Sequence, residues 1–423
     1  MLVDLKLPLL FLAVIVGQGA SAQGPALVDD GSLQQAGLVK FWEARMPLVA
    51  GDTILDAYLV DEALYVVSCY GSVFALKADV GLLRWGAKLT EPDYNIHAPT
   101  HFQGVGGSGP VIIPTTTAVF IYDRFSGDLK ERFTPDFAIG SSAVGLGNNV
   151  FMGGADGKFY SLTISPRFPG RPIKRWEVRA GGPVTAAPIL YDKDSLLFAS
   201  QGGSVYSCLA GDKTFRWSFR AGGSIDGDPA VDASGVYVAS TDRSLYKLHR
   251  GIGTVLWRSR FPKPLTEGPS LAGQKLYQYC PDHGIAVLDA MTGDEKWRLE
   301  DGRTLAAHSP NGDVFLTTGN LLRVVNHENG IVMATVETPS VFKAVSNSSN
   351  GSIYLLGSDG RVLCARLDDE PYLRRQQVMA AKQQLNQPPV DESKRREKPL
   401  TPFVPQPDPN EDDPLRSSKD TKP

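Results

Sequence analysis

Six tryptophans fall on a common beat. Trp176, Trp217, Trp257 and Trp297 stand about 40 residues apart, Trp42 and Trp85 are one similar step apart, and Trp85 to Trp176 is about two steps. In the gap, GDLKERF at 127–133 puts Glu131 where a tryptophan is due. A second marker has the same period: Pro188, Pro229, Pro269 and Pro310 each follow a tryptophan by about a dozen residues. Two independent markers with one period restrict the chain to a solenoid, a propeller or another array.

The unit decides among these. In SGVYVASTDRSLYKLHRGIGTVLWRSR (234–260), Val236 to Ala239 alternates as a strand, Thr241-Asp242-Arg243 turns, Leu245 to Leu248 alternates again, and a glycine turn leads into Val255-Leu256-Trp257. An earlier strand begins at the proline, as in DPAVDA (228–233). Elsewhere the middle turn is Asp156-Gly157 or Asp359-Gly360, a hairpin dipeptide that tolerates positive φ. Four short antiparallel strands per unit, repeated radially, predict an all-β chain folded as a β-propeller. Eight blades are expected, with middle strands starting near Leu64, Val119, Val150, Leu196, Val236, Leu276, Val314 and Ile353. The second unit is short, so an irregular second blade is expected, with seven regular blades plus an irregular one as the variant. The last unit (351–367) has no outer strand after it, whereas the chain begins with an orphan one, GLVKFWEARMP (37–47). Pairing the two closes the ring over residues 37–368 and removes two open sheet edges. The tryptophans Trp42, Trp85, Trp176, Trp217, Trp257 and Trp297 are then expected to dock blade on blade.

The segment Asp289-Ala290-Met291-Thr292-Gly293 to Trp297 carries a D-A-x-T-G-x-x-x-W pattern. It resembles the tryptophan-docking repeat of pyrroloquinoline-quinone (PQQ)-like propellers and is unlike WD40 repeats. That superfamily includes quinoprotein dehydrogenases and the non-catalytic outer-membrane assembly factor BamB.

Outside the ring, residues 1–22 read as a signal peptide: Lys6, an apolar run from Leu7 to Val16, and Ala20-Ser21-Ala22 as an A-x-A cleavage site. No cysteine follows that run to carry a lipid anchor, and no other segment is long and apolar enough to cross a bilayer. A periplasmic or secreted protein is expected. Residues 23–36 read as a linker, 369–385 (capped by Asp369) as a helix, and the Pro-rich, charged stretch 386–423 as disordered. The four cysteines, Cys69, Cys208, Cys280 and Cys364, lie in strand-like runs with no CxxC or CxxCH spacing, so zinc and c-type haem are unsupported. With a formal net charge of −3, the chain lacks the basic bias of a nucleic-acid binder.

Candidate sites fall in the loops. The connection 89–110 is about twice as long as its counterparts and carries Asp93, His97 and His101. It reads as a recognition loop over the channel mouth. Pro99 separates the two histidines, and no further metal ligands can be placed, so no metal is expected. Asp226 and Asp228 sit in another mouth loop, where turn chemistry is the plain explanation. The resemblance implies that they contact a partner, as the corresponding BamB segment meets the outer-membrane barrel-assembly protein. On the opposite face, SPRFPGRPIKRW (165–176) is locally basic through Arg167, Arg171, Lys174 and Arg175. It reads as a solvated loop or as a contact for an acidic partner or anionic lipid. Asn347 and Asn350 stand in overlapping glycosylation sequons.

The functional expectation is a monomeric, non-catalytic protein-binding scaffold of the cell envelope with no cofactor. The resemblance extends this to assisting outer-membrane protein assembly, with the barrel-assembly complex as partner. Two alternatives remain open. One is a PQQ-dependent quinoprotein dehydrogenase, for which the family's adjacent cysteine pair and haem motif are missing. The other is an extracellular interaction module.

Overall fold

The computed structural model describes residues 26–368 apart from Asp93, 103–108 and Pro166. The expected signal peptide, C-terminal helix and Pro-rich disordered tail therefore lie outside the described residues. Among the described residues no helix is long and apolar enough to cross a membrane.

Among the described residues thirty-two strands form eight separate four-stranded antiparallel sheets. Seven are built from consecutive strands: blade 1 (54–88), blade 2 (100–133), blade 3 (139–179), blade 4 (189–220), blade 5 (230–260), blade 6 (270–299) and blade 7 (302–337). The eighth takes three strands from 341–367 and its outer strand, Leu38–Arg45, from the other end of the chain. In that pairing Leu38 faces Leu367 and Trp42 faces Cys364. The ring thus has eight blades and is closed by its N-terminal strand. Blade 2 keeps all four strands, although its inner one is reduced to Thr100–His101.

The alternating patterns bury on both faces because each blade lies between two others. The second and third strands of blade 5, Val236–Ser240 and Ser244–Leu248, are buried throughout. The outer strands are largely exposed except at the residue on the tryptophan beat, as in Phe215–Arg220, where Trp217 is buried. Each seam is its own apolar cluster, such as Tyr237, Leu245, Leu276 and Leu288 between blades 5 and 6.

The tryptophan beat corresponds to a specific device. In blade 1, Trp85 pairs with Ala75 but Leu83 pairs with Leu76, so one outer-strand residue is bulged out. The same shift recurs at Trp176, Trp217, Trp257 and Trp297. A bulge bends the strand and re-aims the side chain that follows it. The indole then reaches the next blade's last turn and donates its Nε1–H to a carbonyl there: Trp42 to Ala78 at 3.0 Å, Trp85 to Arg124 at 3.1 Å, Trp217 to Arg250 at 2.8 Å, Trp257 to Ala290 at 3.3 Å and Trp297 to His327 at 3.1 Å. The glycine of that turn has two reasons to be glycine. At Gly293, φ is +80°, and a Cβ would stand 2.6 Å from the Trp257 ring. The Nε1–H of Trp176 is buried without a partner, and the turn facing it has Lys213 at φ 57° in place of the glycine.

The expected linker 23–36 is, from residue 26 on, part of this core. Asp29 caps a short helix, Asp30–Gln35, by accepting from the Ser32 N–H at 2.8 Å. Leu27, Val28 and Leu33 are buried in one cluster with Leu322, Val336, Val341 and Leu355 of blades 7 and 8.

Candidate functional site

In an antiparallel four-stranded blade, the turns after the first and third strands leave by one face. The turn after the second strand, and the connection to the next blade, leave by the other. The second face carries the mouth of the central channel, which the inner strands line.

The long connection 89–110 divides between these faces. Ile96 bridges Thr115, the His97 N–H donates to the Pro114 carbonyl at 2.9 Å, and Thr100 and His101 pair with Ile112 and Val111. Residues 96–101 are therefore the inner edge of blade 2, running from the mouth to the far face. The expectation of one continuous mouth loop fails because the inner strand of blade 2 lies within 89–110, and Pro110 at its end precedes the second strand, Val111–Pro114. His97 lines the channel, and burial holds its imidazole below the ordinary range. Asp93 lies outside the described residues.

His101 ends at the far face, in a clasp between blades 1 and 2. Its Nδ1 lies 2.7 Å from an Asp61 carboxylate oxygen and its Nε2 lies 2.8 Å from the Tyr65 hydroxyl. The ligand atoms of Asp61, Glu62 and His101 lie within 4.8 Å of one another, a spacing that could hold a metal ion. The chemistry points elsewhere. Arg124 stands 3.0 Å from the His101 Nδ1 and 3.5 Å from Glu62, and Arg84 stands 3.5 Å from Glu62. The carboxylates already face two guanidiniums, and both ring nitrogens are engaged. Burial, the largest influence on His101, lowers its pKa despite Asp61. The arrangement is a histidine, its protonation opposed by burial, within an inter-blade ion-pair network.

At the mouth, Asp228 stands where two cavities meet. One, of about 500 Å³, is lined by Asp56, Tyr58, His97, Thr185 and Lys343; the other, of about 480 Å³, by Thr266, Glu267, Tyr279, Arg303 and Ser346. Charges in both are largely paired. Lys343 lies 2.7 Å from Asp56, and Arg303 grips Glu267 through two bonds of 2.8 Å while its guanidinium lies 4.2 Å from the centre of the Tyr279 ring. Asp228 instead accepts one backbone bond, from the Ala187 N–H at 2.6 Å. Asp228 is exposed to the lumen, yet the protein mass around the channel mouth displaces enough water to outweigh the Ala187 bond and raise its carboxyl above the ordinary value of 3.8. The Tyr58 hydroxyl is also pushed up, by burial first and then by Asp56 and Asp228. Asp226, half-buried two residues earlier, accepts from the Ser224 hydroxyl. Backbone packing fixes the segment: a Cβ on Gly268 would fall 1.9 Å from the Asp228 carbonyl oxygen. The mouth thus holds an exposed carboxyl with no ion pair among the described residues, beside an aromatic and ion-paired wall. The sequence shows Asp228 but not Tyr58, Glu267 or Arg303, because only the ring geometry brings inner strands from different blades together.

Other sequence candidates are placed plainly. Arg167, Arg171, Lys174 and Arg175 are exposed at the far face and outer edge of blade 3. The Asn347 amide is buried, donating to Asn350 at 2.8 Å and to the Ser352 carbonyl at 2.7 Å, so it does not present a glycan acceptor. All four cysteines are free thiols. Cys69 lies in the turn after its strand, not within it. Burial raises the Cys208 and Cys364 thiols to about 12, which makes them inert packing groups.

Residues 201–366, which include Asp226 and Asp228, match the family model described as outer membrane protein assembly factor BamB. Among solved structures, BamB from Moraxella catarrhalis aligns with a TM-score of 0.63 at 18% identity, over 79% of this chain and 99% of that chain. The computationally designed Ika8 protein aligns with a TM-score of 0.58 at 15% identity, over 74% of this chain and 96% of that one. No curated protein sequence matches the chain. The chain therefore folds as a BamB-like propeller of PQQ-type repeats.

Proposed function

We propose that the chain is a non-catalytic binding scaffold of the cell envelope, exported by cleavage after residue 22 and monomeric, whose channel mouth holds a protein partner through Asp226 and Asp228. The barrel-assembly machinery of the outer membrane is the partner that the family match to residues 201–366 favours. The observation that carries the reading is the place of Asp228: an exposed carboxyl at the mouth where two cavities meet, fixed by the Ala187 N–H and, among the described residues, without an ion pair. Its raised pKa agrees with this, since such groups concentrate where a protein does its work. A cationic group of a partner would relieve it by supplying the missing countercharge.

Co-purification from the native envelope tests this. Wild-type protein is expected to retain an outer-membrane barrel-assembly component, and a protein with Asp226→Ala and Asp228→Ala is expected to lose it. Equal retention by both would refute the assignment to the mouth, and retention of no such component by the wild type would refute the partner. Deletion of 89–110 is unsuitable, because it removes the inner strand of blade 2.

A further inference from the structure

We propose that the far-face turn and outer strand of blade 3 form a docking site for an anionic lipid surface. The turn, residues 164–172, carries Arg167 and Arg171 and no carboxylate, and the strand that follows it, Ile173–Arg179, carries Arg175. All three arginines are exposed, and among the described residues none has an ion pair. The neighbouring Lys174 differs, since it lies 3.1 Å from Glu177. Between and beside the free guanidiniums stand two exposed apolar side chains, Phe168 at 57% and Ile173 at 53% of full exposure.

The turn is held in place. Its Gly170 N–H donates to the Glu131 carboxylate of blade 2, and Phe168 and Arg171 close successive turns on Ser165 and Phe168 carbonyls. Pro169 and Pro172 restrict it further. A rigid tip with a phenylalanine flanked by arginines suits the boundary between headgroups and acyl chains. The ring enters the apolar layer while the guanidiniums fork onto phosphate oxygens.

The rest of the far face argues for an edge contact, not a flat one. Most of the corresponding turns are acidic, with Asp79 in blade 1, Asp123 and Asp128 in blade 2, Asp212 in blade 4, Asp289 and Asp294 in blade 6, and Glu328 in blade 7, while that of blade 5 carries Arg250, which pairs with Asp192. Laid flat, these carboxylates would be repelled by the same lipid phosphates. Stood on blade 3, the wheel keeps them and the channel mouth in water. The proposal goes beyond the partner-binding reading and does not rest on it.

Flotation of the folded protein with vesicles tests the site. We expect association with vesicles of equal parts phosphatidylglycerol and phosphatidylcholine, weak association with phosphatidylcholine alone, and release by salt. Changing Arg167, Arg171 and Arg175 to Gln should weaken partitioning about fivefold for each arginine removed. Phe168→Ser should weaken it about tenfold, with less dependence on salt. Lys263→Gln, on the other face, should change nothing. All these positions are exposed, and circular dichroism checks that the variants fold. Failure of the wild type to float with anionic vesicles, or undiminished flotation of the triple variant, overturns the proposal. Capture of the loop by polyglutamate beads without vesicle binding also overturns it, in favour of an acidic protein partner.

Discussion

Six of the eight seams are wedged by a tryptophan, and two are not. In blades 2 and 7 the position after the outer-strand bulge is taken by Glu131, facing Ile121, and by Ala334, facing Val324. The first substitute is polar. Where Trp257 donates its ring N–H to a carbonyl of the next turn, Glu131 accepts an N–H from Gly170 of the next turn, so donor and acceptor exchange roles. The second is apolar and comes from elsewhere in the chain. Ala334 packs against the cluster that Leu27, Val28 and Leu33 join, so the N-terminal segment occupies a seam whose own side chain is too small. The repeat fixes the shape of a seam, and different chemistries can fill it.

The largest effects should come from emptying seams. Trp42→Ala removes a buried indole and its bond to Ala78 in the closing strand. It is expected to cost about 3–5 kcal/mol in urea unfolding. Leu33→Ala should cost about 2–5 kcal/mol by the same measurement if the N-terminal segment is core, and close to nothing if it is only a linker. Glycine positions sharpen the contrast. Gly293→Ala meets both positive φ and the Trp257 ring, and about 2–4 kcal/mol is expected. Gly170→Ala at φ +74° meets nothing closer than the Arg132 carbonyl at 3.4 Å, so only the backbone term of about 1–2 kcal/mol remains. Equal losses at the two glycines would break the distinction between indole and carboxylate seams.

A smaller effect belongs to the mouth. Because Asp228 is raised above 3.8 in the fold, the native state holds that proton more tightly than the unfolded chain. Its contribution to stability is therefore present in acid and lost as pH rises from the ordinary carboxyl range through the raised value. Asp228→Asn should raise the melting temperature at neutral pH. The gain should vanish in acid below the ordinary carboxyl range.

Much of the ring was legible because its markers are local. Trp, Gly and Pro recur within single blades, and the orphan strand around Trp42 exposed the closure. The bulge before each tryptophan was not legible, since it is a matter of register between strands. The position of His101 was missed for a related reason. Blade 2 has no tryptophan and only a two-residue inner strand, so its first strand is hidden inside what reads as a long connection. The helix Asp30–Gln35 has one buried side chain, too little periodicity to distinguish it from a linker. Of the mouth, only Asp226 and Asp228 announced themselves. Tyr58, His97 and Arg303 come from three different blades and share nothing in sequence.

The functional account turns on whether the disfavoured carboxyl of Asp228 serves a partner. The direct measurement is the affinity of the wild type and of Asp228→Asn for the retained barrel-assembly component, with melting temperatures recorded on the same samples at neutral pH. The account predicts that the asparagine protein melts higher and binds at least tenfold more weakly. An asparagine protein that melts higher and binds as tightly as the wild type would contradict it.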